Sequence, residues 1–449
     1  MNIKFNKNLL NASFFTVLVF NIYLLGLVYG PSLVNFFIIS LFIIFLKKLK
    51  QNEFNFNKYF DLSIKIQLLF CLYIVLNSIF VGDEINFFYK SLFYFRFFLI
   101  AFVISQILNF KKNTLNFIIF SFLIFSIFLG IDIFYQYSTG YDFFGFKAGI
   151  CTYPEGETAY IPRNCERFSG FFGKELIAGN FLSTYGIMFL YLFFSRCSDL
   201  SYYKIISFIS LVIIVLAIIL SGERNSILAL LIIFFFNLFF NKKVRKQLLY
   251  ISAPIIIIFF LLFTSTEHVK YRYFDWPLNY VNSMQSDGIK KLLDTSWGSH
   301  YVTAYDIFLD NKIFGSGFKS FRVECQKDKY DFVELNKKYN LNIDSSGCSS
   351  HPHNLYIELL SELGMVGLIL FLVVLYFTIF YPFIKNFKHI KNDSSILILL
   401  SIILTYIFPF KPSGSFSSSV FSTNLWFFVG FYLYFINNLK YKINEYKKS

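Results

Sequence analysis

Charge is what this sequence has least of. Only 15% of its 449 residues are Asp, Glu, Lys or Arg, where soluble domains carry roughly 25%. With a hydrophobic share of 56% and a mean hydropathy of +0.56, that deficit excludes a soluble globular protein. The first apolar stretch has no small-residue cleavage site and is followed at once by a second, so it reads as a retained span, not a cleavable signal. No sequence repeat and no low-complexity linker divides the chain. Acidic residues are scarcer than basic ones, 27 against 41, leaving a formal charge of +14. The positives lie in short connections between apolar runs, which argues against nucleic acid and for a membrane orientation signal.

What the chain has instead is apolar runs approaching about 20 residues, enough as helix to cross roughly 30 Å of hydrocarbon. Phe alone supplies 65 residues. The expected fold is an all-α polytopic membrane protein with about 12 transmembrane helices. The spans lie near 9–29, 31–46, 62–81, 90–108, 114–136, 173–194, 203–220, 224–240, 247–264, 355–381, 394–410 and 420–436. Residues 1–264 then hold helices 1–9 and an outer loop at 137–172. Residues 265–352 form a large, partly helical periplasmic loop between helices 9 and 10. Residues 353–449 hold helices 10–12 and a cytoplasmic tail, the whole forming one integrated membrane domain. Helical spacing is expected from Ser299 to Asp310 and from Gln326 to Asn340, with a break at Gly315-Ser-Gly317.

Lys47, Lys48, Lys50, Lys58, Lys242, Lys243, Arg245, Lys246 and the Lys-rich C-terminal tail fall on one side of this arrangement. The short connections opposite hold Lys90, Lys147, Arg163, Arg167, Arg224 and Lys411. That asymmetry places both termini in the cytoplasm, so both long loops face outward. Each outer loop carries two cysteines, Cys151 with Cys165 and Cys325 with Cys348. Two local disulfides in an oxidising periplasm are the expectation, each worth roughly 3 kcal/mol on the chain-entropy model; the alternative is four free thiols.

His353 is the first candidate for chemistry. It is placed at the first turn of the tenth span, with Asn354 as N-cap. A helix N-terminus opposes a proton, so the imidazole should stay neutral and accept one from a hydroxyl. Its free N–H groups favour an anion. The plainer alternative is an interfacial anchor. His351 is read as a loop residue, with a partnership to His353 as the alternative. His300, His351 and His353 supply zinc-type ligands at a spacing that fits no zinc pattern; no metal and no cofactor is expected.

Arg224, in Ser221-Gly-Glu-Arg224, joins two spans at their outer mouth, and its fork suits phosphate oxygens. Glu223 beside it allows an ion pair instead. Arg96 lies several residues into an apolar helix, the usual mark of a polar cavity. Arg167, Lys174 and Lys411 complete a basic outer rim that fits a lipid diphosphate. Asp132, Glu358 and Glu362 are further polar points, the two glutamates sharing one helix face and free to pair with the arginines.

These islands resemble the O-antigen ligases and related lipid-linked glycan polymerases. His353-Asn354, nine residues, Gly364, two residues and Gly367 match the family's His-[Asn/Ser/Gln]-x9-Gly-x2-[Gly/Thr/Tyr] motif. Ser221-Gly-Glu-Arg224 resembles its Ser-x-x-Arg hairpin. Glu166-Arg-Phe-Ser-Gly-Phe-Phe172 resembles its Arg-x-Ser-Gly-x-Phe stretch, and Phe308 through Phe314-Gly-x-Gly317 to Phe321 resembles the segment ahead of the histidine. His300 departs from the pattern, standing where many members carry an arginine.

The resemblance implies metal-independent, inverting transfer of a glycan from undecaprenyl diphosphate to an acceptor hydroxyl at the periplasmic face. His353 and Arg224 would be catalytic. Arg96, Arg167, Lys174 and Lys411 would bind diphosphate, with Asn354, His300 and Glu358 in support. The acceptor is lipid A-core in a ligase and another lipid-linked repeat unit in a polymerase. A protein-glycosylating relative and a transporter or flippase for a lipid-linked sugar remain as alternatives, though neither inverted repeats nor Gly- or Pro-broken spans favour transport.

Overall fold

The computed structural model describes residues 12–50, 58–81, 85–108, 112–150, 166–197, 201–287, 293–343, 346–390 and 393–448. Cys151 and Cys165 lie outside the described residues. Apolar sequence makes helix here because a backbone surrounded by hydrocarbon must satisfy its own N–H and C=O groups. In chain order the helices are α1 Ala12–Tyr29, α2 Pro31–Leu49, α3 Lys58–Phe80, α4 Ile85–Leu92, α5 Phe95–Ile107, α6 Lys112–Thr139, α7 Ala178–Phe181, α8 Ile187–Cys197, α9 Ser201–Leu220, α10 Arg224–Phe240 and α11 Lys242–Ser265. There follow α12 Glu267–Lys270, α13 Trp276–Asp287, α14 Ser296–Asp310, α15 Phe321–Glu324, α16 Phe332–Tyr339, α17 Leu355–Leu375, α18 Tyr381–Lys385, α19 Phe387–Ile390, α20 Ser394–Tyr406 and α21 Ser419–Lys448. The described strands are a two-residue antiparallel pair, Gly149 opposite Arg167 and Ile150 opposite Glu166.

Among the described residues, 7 helical stretches are long and apolar enough to cross a membrane. They are Leu62–Phe80, Phe87–Ile107, Asn113–Thr139, Ala178–Arg196, Ser201–Leu220, Leu355–Lys385 and Ser419–Leu439. An eighth is the pair Lys242–Tyr250 and Ala253–Ser265, bent by 40°. Pro254 explains the bend, since it has no N–H to give the carbonyl four residues back. Four shorter apolar helices, Phe14–Tyr29, Pro31–Lys47, Arg224–Phe240 and Ser394–Tyr406, complete the bundle. The expected fourth span carries a turn at Phe93–Tyr94 between α4 and α5 within the single stretch Phe87–Ile107, and the sixth begins at Ala178 with a π-helical turn at Leu182–Gly186.

Rings fill the bundle core. Tyr185 and Phe122 stack at 5.9 Å, Phe122 and Phe189 at 4.2 Å, and buried Trp426 meets the edge of Phe98 at 4.6 Å. A Cβ on Gly430 would fall 2.8 Å from the Cβ of Ile104; its absence lets α21 lie directly on α5.

The cap, from α12 to Asn354, has its own small cores. One joins Ala304, Ile307, Phe321, Cys325 and Tyr330; another joins Val302, Leu335, Leu341 and Ile343. Cys325 and Cys348 are disulfide-bonded as expected. Both expected cap helices exist, α14 almost as read and α16 shorter. The sequence reading missed α12, α13 and the π-helical turn Tyr271–Asp275 between them, where it saw only loop.

The cap is spliced into α17 rather than laid on it. Gly364 has φ +67 inside the helix, so the ladder opens there. Backbone from the cap takes the freed groups. Ser316 N–H donates to Ser361 O at 2.9 Å and Gly317 N–H to Glu362 O at 2.9 Å. In return Met365 N–H donates to Lys312 O at 2.9 Å and Val366 N–H to Ile313 O at 3.2 Å. A Cβ on Gly364 would sit 2.3 Å from Ile313 O, and one on Gly315 would sit 2.4 Å from Glu362 O. The spaced glycines around residues 315 and 364 are therefore the two halves of one backbone joint.

Candidate functional site

Two clusters of polar side chains meet at the cap end of the bundle. The first is a histidine corner. His353 does not lie in the first turn of α17; it precedes the N-cap and holds φ +56, a conformation few non-glycine residues adopt. Asn354 is the cap, its side chain accepting from Tyr356 N at 3.0 Å and Ile357 N at 3.2 Å. These helix donors are thus taken by Asn354, not left open for an anion. Ser413 N–H donates to His353 O at 2.9 Å, and Asn354 Nδ2 donates to Pro409 O at 2.7 Å. The loop 407–418 thereby fixes the strained residue.

Three imidazoles gather here. The His353 ring centroid lies 4.1 Å from that of His351 and 5.3 Å from that of His300, and Trp297 meets it edge-on at 4.7 Å. His351, read as a loop residue, is therefore a neighbour of His353. His300 is anchored through Nδ1 to Gly347 O at 2.8 Å. Among the described residues no group of three or more His, Cys, Asp or Glu has a metal-holding arrangement. Burial, then the charges of His351 and His300, push His353 down to about 4. Burial likewise pushes His351 down to about 4. Both rings are neutral near pH 7 and can accept a proton.

The second cluster surrounds the tight turn from Ser221 to Arg224. Arg224 opens α10 with its guanidinium 3.6 Å above the Trp276 ring. Among the described residues it makes no hydrogen bond. Glu223 does not pair with it. That carboxylate accepts from Gly179 N at 2.9 Å, Asn180 N at 3.1 Å and Ser226 Oγ at 3.0 Å, capping the start of α7.

Arg167 is brought in by the short strand pair and by Phe168 N–H donating to Ser221 O at 3.2 Å. Its Nη2 holds Leu176 O at 2.8 Å, while its buried Nε has no partner among the described residues. The sequence reading missed Arg272, which donates from Nε and Nη2 to Gly222 O at 3.0 and 2.8 Å. His268 and Tyr273 approach Leu220 O and Ile219 O in the same way, at 3.1 and 2.9 Å. The turn Glu267–Asp275 thus satisfies the last carbonyls of α9. Its only legible signal was an arginine set among aromatics, Tyr271-Arg-Tyr-Phe. Burial first, and the charge of Arg167 next, hold Arg272 below the ordinary arginine range.

Lys411 links the clusters. It is buried, and its Nζ donates to Asn180 Oδ1 at 2.9 Å, beside the Glu223 cap. Two residues on, Ser413 holds His353; two residues span at most about 7 Å. Burial, opposed by the charge of Glu223, pushes Lys411 down to about 8.

The remaining expected residues scatter. Arg96 packs over Phe97 and donates to Ser419 Oγ at 3.1 Å, with no contact to the arginine cluster among the described residues. Lys174 is exposed. Among the described residues Glu358 and Glu362 pair with no arginine; Glu358 accepts from Ser415 Oγ and Phe416 N, and Glu362 accepts from Lys319 N at 2.8 Å and Phe321 N at 3.3 Å. Both are latches for loop backbone. Asp132 holds Phe143 N at 2.8 Å beneath the outer loop.

A search of curated proteins finds no match to this chain. The family model described as O-Antigen ligase matches residues 209–372. That stretch contains Arg224, Arg272, the cap, the backbone joint at Gly364 and the histidine corner. Over these residues the chain is similar to the O-antigen ligase family, a similarity that supports a multi-pass membrane enzyme of the ligase or polymerase type.

Proposed function

We propose that this chain is a ligase that transfers a glycan from undecaprenyl diphosphate to a hydroxyl of lipid A-core at the periplasmic face of the bacterial inner membrane. The observation that carries this reading is the arginine cluster. Three guanidiniums, Arg167, Arg224 and Arg272, bear on one another at the mouth of the bundle. The nearby carboxylate, Glu223, acts on Arg167, Arg272 and Lys411, but it is one negative charge against three guanidiniums and an ammonium, and it is held by backbone amides and Ser226. Like charges in a half-buried site repel unless an anion joins them. A diphosphate supplies that anion, and Arg224 meets it as a planar fork already stacked on Trp276.

The bundle also offers room for the donor's tail. A cavity of about 760 Å³ runs between α8, α9, α10 and α11. It is walled almost wholly by aliphatic and aromatic side chains, from Ile219 and Ile227 beside the arginine turn to Lys204 and Gln247 at the far end. A polyprenyl chain lying there brings its diphosphate up to Arg224.

The acceptor hydroxyl then attacks the anomeric carbon from the side opposite the diphosphate. The new C–O bond forms as the bond from that carbon to phosphate oxygen breaks. The electron pair leaves with undecaprenyl diphosphate, whose developing charge the arginines and Lys411 stabilise. The hydroxyl proton passes to the neutral His353 imidazole, with His351 and His300 orienting the ring. Inversion at the anomeric carbon follows. The twelve apolar helices serve as crossings, with both termini in the cytoplasm.

Transfer between purified lipid-linked glycan and lipid A-core in the presence of the purified chain tests the reading. His353→Ala is expected to lower the rate by about 10²–10⁴-fold at unchanged membrane abundance. Arg224→Lys is expected to fail as a substitute, because a point charge lacks the fork. Wild-type rates in both variants would overturn the assignment. In a deletion strain, long chains retained on the carrier support a ligase; accumulation of single repeats would instead identify a polymerase.

A further inference from the structure

A third group of cations lies beside His351, and transfer as proposed above does not use it. Lys90 and Arg322 wall an open cavity of about 910 Å³ together with Phe87, Tyr89, Gln326 and Ser350. Lys319 stands close enough for the charges of Arg322 and Lys90 both to act on it. The charges of Arg322 and Lys319 act in turn on His351. Ser350 in the cavity wall lies 2.9 Å through its Oγ from His351 Nδ1, so the cavity is one residue from the ring that touches His353.

Three features mark the place as built. Lys319 has φ +65, a left-handed conformation that suits glycine and strains any residue with a Cβ. Two glycines stand just before it at Gly315 and Gly317, yet this position carries a lysine. A strained non-glycine residue persists where its side chain does something that glycine cannot. Next, Arg322 spends Nη2 on Ser350 O at 3.1 Å while its buried Nε has no partner among the described residues. Finally, the charges of Glu362 and Glu358 reach Lys319 without an ion pair among the described residues, since Glu362 accepts the backbone amides of Lys319 and Phe321 and Glu358 accepts Ser415 and Phe416. The Cys325–Cys348 disulfide joins the helix that carries Arg322 to the segment leading to His351.

We infer that Lys90, Lys319 and Arg322 form a phosphate-binding site that holds the acceptor by an anionic group of its saccharide, beside the hydroxyl presented to His353. The site rests on the transfer reading for its purpose but not for its existence. Arg322 supplies a planar fork and the two lysines supply point charges. The cavity is large enough for a phosphorylated sugar and open enough to admit one. It shares no lining residue with the arginine turn, so donor and acceptor would each meet their own cations.

The chain's own tryptophans test this. There are 3, Trp276, Trp297 and Trp426. Trp276 lies under Arg224, Trp297 touches His353, and Trp426 is buried in the bundle. The full-length protein carrying 5-fluorotryptophan, in phosphatidylcholine nanodiscs, is titrated with inorganic phosphate and followed by fluorine NMR. The Trp297 resonance is expected to shift saturably, with Trp426 as the unmoved control and Trp276 reporting the donor side independently.

Lys319→Gly removes the ammonium while giving the backbone the residue it prefers, so the fold should be kept or strengthened. Arg322→Gln removes the fork. Each is expected to weaken the Trp297 response about tenfold or more, the scale of a lost charged hydrogen bond, and to leave the Trp276 response unchanged. A flat Trp297 signal in the wild type, or an undiminished one in both variants, would overturn the site. Repeating the titration with phosphatidylglycerol in the disc separates the sources. If that lipid alone saturates the shift, the occupant is a membrane headgroup and the acceptor assignment falls. Loss of transfer in His353→Ala bears on the reaction alone; the phosphate response does not depend on it.

Discussion

Replacing Gly364 with alanine tests the joint that holds the cap to the bundle. The residue sits at φ +67, where a Cβ costs roughly 1–2 kcal/mol. That Cβ also meets backbone on three sides, at 2.3 Å from Ile313 O and 2.5 Å from both Ile313 C and Gly315 N. None of these is a side chain able to swing aside, so the cap segment must retreat. Retreat breaks some of the four backbone hydrogen bonds that couple residues 312–317 to α17. Each is worth a net 0.5–1.5 kcal/mol or so. Losing two of them, together with the strain, gives about 2–5 kcal/mol. The consequence reaches the site, because α14 carries Trp297 and His300 against His353.

Gly140 supplies the control, with φ +82 and nothing within 4 Å of its would-be Cβ. Gly140→Ala should cost about 1 kcal/mol from strain alone. Thermal unfolding of the purified variants, limited proteolysis of the cap and glycan transfer would be compared. Gly364→Ala should unfold at lower temperature, expose the cap to protease and lose transfer. Equal behaviour of the two variants would show that the backbone contact does not govern the joint.

Further outcomes are expected. Transfer should hold from pH 7 down to about 5 and fall toward about 4, where His353 and His351 take up protons. Stability should follow the same sign. The free imidazole value is 6.5, so between there and about 4 the unfolded chain binds more protons and the fold weakens as pH drops. An acid limb centred on 6.5 would mean the rings are not buried against one another. Above about pH 8 Lys411 should lose its proton and transfer should decline, an effect absent in Lys411→Arg. Reducing the Cys325–Cys348 bond should cost the cap roughly 3 kcal/mol, read as a lower unfolding temperature for the cap. Arg272→Met should destabilise the turn at Gly222 by about 1–3 kcal/mol, since a buried carbonyl loses its donor. Arg272→Lys should recover part of that stability without recovering transfer.

Much of the site was legible because membrane sequence makes polar residues conspicuous. Arg224 stood out as a charge between two apolar runs, and the spacing of Gly364 and Gly367 after His353 marked a motif before any contact was known. Pairings were not legible. Glu223 adjoins Arg224 in sequence, yet its carboxylate turns to the α7 amides because a helix start with unsatisfied donors lies nearer than the guanidinium. Glu358 and Glu362 hold loop backbone for the same reason. Arg272 went unnoticed because its one signal, an arginine among aromatics, is weak inside a long loop; only the fold shows it closing the end of α9. Arg96 stood out equally well but faces Ser419, away from the other arginines.

The sequence by itself determined that this chain lives in a membrane, which stretches become helix, and which few charges must answer to something polar. Those follow from transfer energies and local periodicity, properties each segment has alone. Tertiary structure decided which charges share a site, that three histidines touch, and that a lysine at 319 occupies a conformation suited to glycine. Such facts depend on residues far apart along the chain, such as Phe168 with Ser221, or Gly315 with Gly364. Their physical cause is the need of each exposed backbone group for a partner, which no single segment could supply.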